Sequence, residues 1–200
     1  GVLMYYAVIA DIHGCSAQLS TALQWVDSQA DVEKTVFLGD YVDRGPDSPG
    51  VLDLLIDRDP ERNLFLRGNH DQMMLEYLDY PNLDMQWPYF WGLKTIRQFG
   101  DRWVAGGVRN SPEMRKYSDF IRSTKFWTET DHYIFVHAGM NPLKPMAEQD
   151  LDNLMWAREM YCYGDLEKLV VTGHSIVEKP TLLNNHLALD TGCYGRGRLL

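Results

Sequence analysis

The chain has 200 residues, 45% of them hydrophobic and 24% charged, with a formal net charge of −9. That length suits one domain able to bury well over half of its unfolded surface, and the acidic balance argues against a nucleic-acid binder, which needs a positive face. No apolar run approaches the ~20 residues of a membrane span.

The three cysteines, Cys15, Cys162 and Cys193, have no CxxC spacing, so thiols in a reducing cytoplasm are expected rather than a disulfide framework. With the first apolar run so near the start of the sequence, no signal peptide is expected. Any phosphate site in so acidic a chain must be made locally positive by metal ions and a few arginines.

The first predicted strand is the apolar run from Tyr6 to Ala10, which ends on Asp11-Ile12-His13. A helix follows over Ser16 to Gln29, with Leu19, Leu23 and Val26 at helical spacing and Ser16 as its N-cap. Thr35 to Gly39 is a second strand ending on Asp40, and Val51, Leu52, Leu54 and Leu55 after Pro49-Gly50 form a second helix. Asp47, Asp53, Asp57 and Asp59 give it a solvated acidic face. Asn63 to Gly68 is a third strand ending on Asn69-His70, and a helix from Asp71 carries Met74, Leu75 and Leu78 on one face. This βαβαβ start predicts a parallel sheet.

From Tyr80 to Thr130 the chain reads as a mainly helical insertion. Trp87, Tyr89, Phe90, Trp91, Trp103, Phe120, Phe126 and Trp127 either fill the core of a small helical subdomain or wall a substrate. Strands resume at Tyr133, ending on His137, and at Leu169, ending on His174. Short strands at Leu182 and Leu187 predict antiparallel pairing in a second sheet, and Gly197 to Leu200 reads as the start of another strand.

Five strands thus end on groups that can bind metal, and ligands of open α/β sheets lie at the carboxyl ends of strands. The expectation is that Asp11, His13, Asp40, Asn69, His137 and His174 meet at one edge of one sheet. Oxygen and imidazole donors suit divalent first-row metals. Their number exceeds the needs of one tetrahedral ion, so two ions sharing a bridging carboxylate are expected, which points to phosphate-ester hydrolysis. A cysteine nucleophile is not indicated, because the CxxxxxR spacing from Cys193 meets Leu199. Nor is an aspartyl-phosphate DxDx(T/V) motif present, because Asp11 is followed two positions later by His13. His132 and His186 read as ordinary satisfied or surface histidines, and Cys15 as a small packing residue.

Three motifs sharpen this reading: Ala10-Asp11-Ile12-His13-Gly14, Gly39-Asp40-Tyr41-Val42-Asp43-Arg44-Gly45 and Gly68-Asn69-His70-Asp71. In this order, and with His137-Ala-Gly139 and Gly173-His174 behind them, they resemble the phosphoprotein phosphatase family of calcineurin-like metallophosphoesterases, whose signature is GDxHG, GDxxDRG and GNH(E/D). Trp156-Ala157-Arg158 resembles the phosphate-holding Trp-x-Arg of small bacterial and bacteriophage members, and Asp190-Thr-Gly192 matches a strand near their end. Ala10 replaces the usual first glycine, and Ser175 stands where Thr is usual. The Asp71 variant is also frequent in symmetrical dinucleoside tetraphosphate hydrolases.

The resemblance implies an α/β fold, a β-sandwich flanked by helices with a helical insertion. It implies Asp11 and His13 on one metal, Asp40 bridging, and Asn69, His137 and His174 on the other, with manganese first and iron or zinc as alternatives. Arg44 and Arg158 would clamp the phosphoryl oxygens beside Asn69 and His70. His70 would protonate the leaving oxygen, oriented by Asp43, while water attacks directly and no protein nucleophile is needed. The expected activity is a serine/threonine protein phosphatase, a cytoplasmic monomer without nucleic-acid or membrane partners. The alternatives are a dinucleoside polyphosphate hydrolase and a catalytically dead phosphoprotein-binding module.

Overall fold

The computed structural model describes residues 5–80, 86–100, 111–158 and 162–199. Tyr5–Ile9 (β1), Val32–Phe37 (β2) and Asn63–Phe65 (β3) pair in parallel, in that order, as strands joined by helices must. Ser16–Ser28 (α1), Ser48–Ile56 (α2) and Asn69–Asp79 (α3) bury Leu19, Leu23 and Val26, then Val51, Leu52 and Leu55, then Met74, Leu75 and Leu78. These are the i, i+3 and i+4 positions that make one apolar stripe per helix. Two helix N-termini differ from expectation: α3 begins at Asn69, two residues before the expected Asp71, with Gly68 as its N-cap. Ser16 lies inside α1, whose N-cap is Cys15, and its hydroxyl donates to Asp47 Oδ2 at 2.6 Å.

The second sheet holds Trp127–Glu129 (β4), Tyr133–Val136 (β5), Leu169–Thr172 (β6), Thr181–Leu183 (β7) and His186–Ala188 (β8), in the order β4-β5-β6-β8-β7. Only part of the expected antiparallel pairing is present. β7 and β8 form a hairpin through Asn184 and Asn185, both in the left-handed region that two-residue turns require, but β8 runs parallel to β6, and β6 parallel to β5. Residues 197–199 form no strand. Leu199 packs instead against the helix-side core, and Leu200 lies outside the described residues.

The period-2 alternation of the strands explains how the sheets meet. Ile9 and Phe37 point to the helices, whereas Ala10, Val36, Leu38 and Leu66 share a cluster with Phe135 and Val171 of the other sheet. The strand ends that carry the candidate metal ligands therefore come from both layers of a sandwich. This corrects the expectation of a single sheet edge: Asp11, Asp40 and Asn69 follow strands of the first sheet, His137 and His174 strands of the second.

Among its described residues the insertion is mainly helical up to its end, where β4 was not anticipated. A π-helical turn at Pro88–Gly92 leads into Leu93–Phe99 (α4), and Pro112–Ser123 (α5) follows. Trp87, Phe99, Met114, Tyr117 and Ile121 join the helix-side core, while Phe126 and Trp127 pack beside Val136 and Leu154. Trp103 lies outside the described residues. Leu151–Trp156 (α6) and Cys193–Arg196 (α7) complete the chain. The acidic face of α2 is not merely solvated. Asp47 caps the helix, accepting from Gly50 N, and Asp53 accepts from Lys116 Nζ at 2.7 Å and the Tyr117 hydroxyl at 2.9 Å. Among the described residues no helix is long and apolar enough to cross a membrane.

Candidate metal centre and phosphate pocket

Six non-glycine residues around the strand ends have left-handed backbone: Asp11 (φ 42°), His13 (44°), Asp40 (55°), Asp43 (71°), Arg44 (64°) and His174 (62°). Such residues cost ~1–3 kcal/mol each and persist only where the surroundings enforce them. Hydrogen bonds between the loops supply that enforcement. His13 N donates to Asp40 O at 2.8 Å, and Gly14 N to Tyr41 O at 2.9 Å. The buried Asp71 carboxylate accepts from Asp40 N, Tyr41 N and Gly68 N at 2.7–2.9 Å, joining the Gly-Asp and Gly-Asn-His loops. The two loops touch so closely that a Cβ on Gly39 would lie 2.3 Å from Gly68 N, and one on Gly68 would lie 2.1 Å from Asp40 Oδ1.

Two overlapping groups of ligand atoms result, His13 with Asp40 and His70, and Asp40 with His137 and His174, each with its atoms within 4.8 Å of one another. Asn69 joins the second, its Oδ1 lying 3.0 Å from His137 Nε2. The geometry of the imidazoles tests whether cations fit. His13 Nδ1 bonds Val42 O at 2.8 Å and His137 Nδ1 bonds Leu38 O at 2.7 Å. A carbonyl only accepts, so both Nδ1 atoms carry the proton and a neutral ring turns its Nε2 lone pair inward. These lone pairs face Asp40 Oδ2, at 3.4 Å from His13 and 3.5 Å from His137. Lone pairs facing carboxylate and amide oxygens are repulsive unless a positive charge stands between them.

At His137 a proton can supply that charge in place of a cation. Burial opposes a charged ring, yet the Asp40 and Asp11 carboxylates raise its pKa to about 10, so a cation there must displace the Nε2 proton. Burial lowers His13 to about 4 and His174 to about 3, so both are neutral at physiological pH, and His174 Nε2 is buried without a hydrogen-bond partner. Asp11 is buried, accepts from His174 N at 2.9 and 3.1 Å, and lies outside the two groups. Burial, with Asp190 and Asp40 close by, raises its pKa well above the usual carboxylate value. An accumulation of carboxylates and inward lone pairs in one dry spot fits divalent cations.

Beside these groups His70 Nδ1 lies 2.7 Å from Asp43 Oδ2, both side chains fully enclosed, and His70 Nε2 lies 3.4 Å from an Arg44 amino group. A cavity of about 270 Å³ opens over His13, Asp40, Asn69, His70 and His174, with Arg44 and Arg158 on its walls. Asp11, Asp43 and His137 are buried beneath it. All the residues singled out from the sequence are thus in or directly under one pocket.

Of its other neighbours, the sequence placed Asp190 and Trp156 only within motifs of the resemblance and Trp87 and Trp91 only among aromatics of open role, and it did not reveal Thr95 or Tyr194. Asp190 lines the cavity and is in contact with Asp11. Its signal was available: Leu187 to Leu189 is a further apolar run ending on a carboxylate. Trp91, Trp156 and Tyr194 set aromatic edges against His70, His174 and His13, with ring centroids 5.5, 6.3 and 5.5 Å apart. Tyr194 also accepts from Arg44 at 2.8 Å and stacks under its guanidinium. Trp87 Nε1 donates to Asp43 Oδ2 at 2.7 Å and Thr95 Oγ1 to Asp43 Oδ1. Of the insertion's described aromatics, Trp91 walls the pocket, Trp87, Phe120, Phe126 and Trp127 pack in the core, and Tyr89 and Phe90 are exposed.

A helix-flanked β-sandwich whose strand ends converge on overlapping histidine–aspartate clusters defines a metal-dependent phosphoesterase. The family model for calcineurin-like phosphoesterases matches residues 4–192, and the chain belongs to that family. It is a hydrolase of the metallophosphoesterase class, which works with a dimetal site.

Among named relatives, the chain is 24% identical to serine/threonine-protein phosphatase 2 of Salmonella typhimurium, over 96% of this chain and 89% of that one. It is 23% identical to the asymmetrical bis(5'-nucleosyl)-tetraphosphatase PrpE of Anoxybacillus flavithermus, over 98% and 89%. A cold-active protein-tyrosine phosphatase of a psychrophilic Shewanella shares the fold, with a TM-score of 0.63, 18% identity and coverage of 95% of this chain and 72% of that one.

Proposed function

We propose that this chain is a metal-dependent phosphomonoester hydrolase acting on phosphoserine and phosphothreonine in proteins. The observation that carries the reading is the Asp43–His70 pair beside the ligand groups. A positioned proton donor matters most for a poor leaving group such as a serine or threonine alkoxide. The nucleotide released from a dinucleoside polyphosphate leaves as a phosphate anion and needs it less. The pocket adds support, because about 270 Å³ falls below the ~300–1,000 Å³ of sites that engulf a larger ligand. A phosphoryl group on a short side chain fits such a space better than a dinucleoside does.

In this reading Asp11, His13 and Asp40 hold one divalent ion, and Asp40, Asn69, His137 and His174 the other, manganese being the first choice and iron or zinc the alternatives. The ions supply a water activated at neutral pH and a clamp for in-line displacement. Arg44 and Arg158 fix the phosphoryl oxygens with their planar forks. His70, whose Nδ1–H is held by Asp43, carries a second proton on Nε2 when it acts, gives that proton to the departing oxygen and is left as the neutral Nδ1–H imidazole. The three free thiols accord with the expected cytoplasmic setting.

The second reading, hydrolysis of dinucleoside polyphosphates, is favoured by the name of the Anoxybacillus relative. Steady-state rates with manganese on a phosphoserine peptide, p-nitrophenyl phosphate and diadenosine tetraphosphate separate the two. A higher kcat/KM on the phosphopeptide than on diadenosine tetraphosphate is expected, and the reverse order would replace the first reading by the second.

A further inference from the structure

The Asp43-Arg44-Gly45 turn is gripped from one side by the insertion. On α4, Lys94 Nζ donates to Arg44 O at 2.7 Å, and Thr95 Oγ1 donates to Asp43 Oδ1. One turn later Gln98 Nε2 donates to Gly45 O at 2.8 Å, and its Oε1 accepts from Ser48 N at 2.8 Å. Positions i, i+1 and i+4 share a helix face, so two consecutive backbone carbonyls, one backbone N–H and one carboxylate are read by a single surface. Trp87, just ahead of the π-helical turn, gives the second donor to Asp43. The turn it holds contains two adjacent left-handed residues, Asp43 and Arg44, that have no steric reason to stay there.

We propose that the insertion is a positioning device for proton transfer, with Thr95 and Trp87 acting through Asp43 to hold the His70 ring by its Nδ1–H in the orientation from which a protonated Nε2 gives its proton to the leaving oxygen. It rests on the reading of His70 as the proton donor. Asp43 is fully enclosed, and its two oxygens receive three donors: the His70 ring, the Trp87 indole and the Thr95 hydroxyl. The two donors other than His70 stabilise the carboxylate as an anion, so the Nδ1 proton stays on the imidazole and Nε2 alone faces the cavity. Without Thr95 or Trp87 the carboxylate is free to swing or to draw that proton toward itself, and the ring loses its fixed aim. Both residues are positioning residues, since neither lines the cavity.

The test uses the manganese-loaded full chain with two substrates, a phosphoserine peptide and p-nitrophenyl phosphate, whose leaving group departs without a proton. Thr95→Val should lower kcat on the peptide about tenfold more than on the nitrophenyl ester, a fraction of the ~10²–10⁴-fold worth of a general acid, with KM changed little on either. Thr95→Ser keeps the hydroxyl and should restore the wild-type ratio. Should Thr95→Val fail to fold, Trp87→Phe removes the other donor and must show the same contrast.

A second readout is the His70 Nδ1–H proton resonance by NMR of the zinc-loaded chain, since zinc is diamagnetic and manganese would broaden the signal away; it should move upfield in Thr95→Val and return in Thr95→Ser. Equal losses on both substrates, or an unmoved resonance, would overturn the proposal. If His70→Asn itself shows no contrast between the substrates, the proton-donor reading falls instead, and the resonance alone then decides whether Thr95 and Trp87 position the ring.

Discussion

The two ring nitrogens of His70 are both engaged, Nδ1 with Asp43 and Nε2 with Arg44, although the ring also lies within ligand distance of His13 and Asp40. Proton donor and metal ligand are therefore rival roles that one substitution separates. His70→Asn is expected to slow hydrolysis of a phosphoserine peptide by ~10²–10⁴-fold and of p-nitrophenyl phosphate far less, with both metals retained by elemental analysis. Loss of an ion from that variant would make His70 a ligand. The groups meeting in the pocket were legible because each is an uncommon residue type at the end of an apolar run, a pattern readable one strand at a time. Thr95 and Tyr194 were not, and Trp91 stood among aromatics whose role, core or substrate wall, the sequence left open. Tyr194 meets Arg44 across 150 positions, and a threonine within a helix carries no sign of the buried carboxylate it serves.

Where β3 gives way to the loop before α3, Arg67 turns its guanidinium onto the end of α5. It donates to Ile121 O, Arg122 O and Thr124 O at 2.8–3.3 Å, to Thr124 Oγ1 at 3.1 Å and to Gln72 Oε1 at 3.0 Å, and stacks on Phe126. A cation at a helix C-terminus meets both the last carbonyls and the negative end of the dipole. Arg67→Met keeps length and removes every donor, so a loss of about 3 kcal/mol is expected. At ~2–4 °C per kcal/mol for a chain of this size, a thermal melt will register it. A change below ~1 kcal/mol would mean that the freed carbonyls simply take up water.

Elements with a long apolar period, β1 to α3, were readable from the sequence. β4 was not, because three residues at a sheet edge, all partly or wholly exposed, make no pattern that a loop could not make. The parallel pairing of β6 with β8 escaped for another reason: spacing along the chain says which strands are short, not which neighbour each one chooses.

The sandwich draws its ligand groups from both layers, so ion binding and docking of the sheets are linked in the whole molecule. Chelation should abolish hydrolysis and manganese restore it, with up to two ions per chain at full activity. Because ions bind the folded chain, they should also raise Tm in a concentration-dependent way. Full activity in a verified metal-free sample would refute the dimetal reading, and a Tm indifferent to manganese would refute the linkage.

The six left-handed residues have a consequence for how such a chain can change. Glycine or asparagine would occupy those backbone positions with less strain, and glycine at Asp43, Arg44 or His174 would relax the turn that presents a working side chain. Selection that rewards only a sturdier fold will therefore find its easiest gains among the residues that form the pocket. A library screened for heat resistance alone should accumulate silent, well-folded chains, and only a concurrent demand for turnover will keep the strained residues in place.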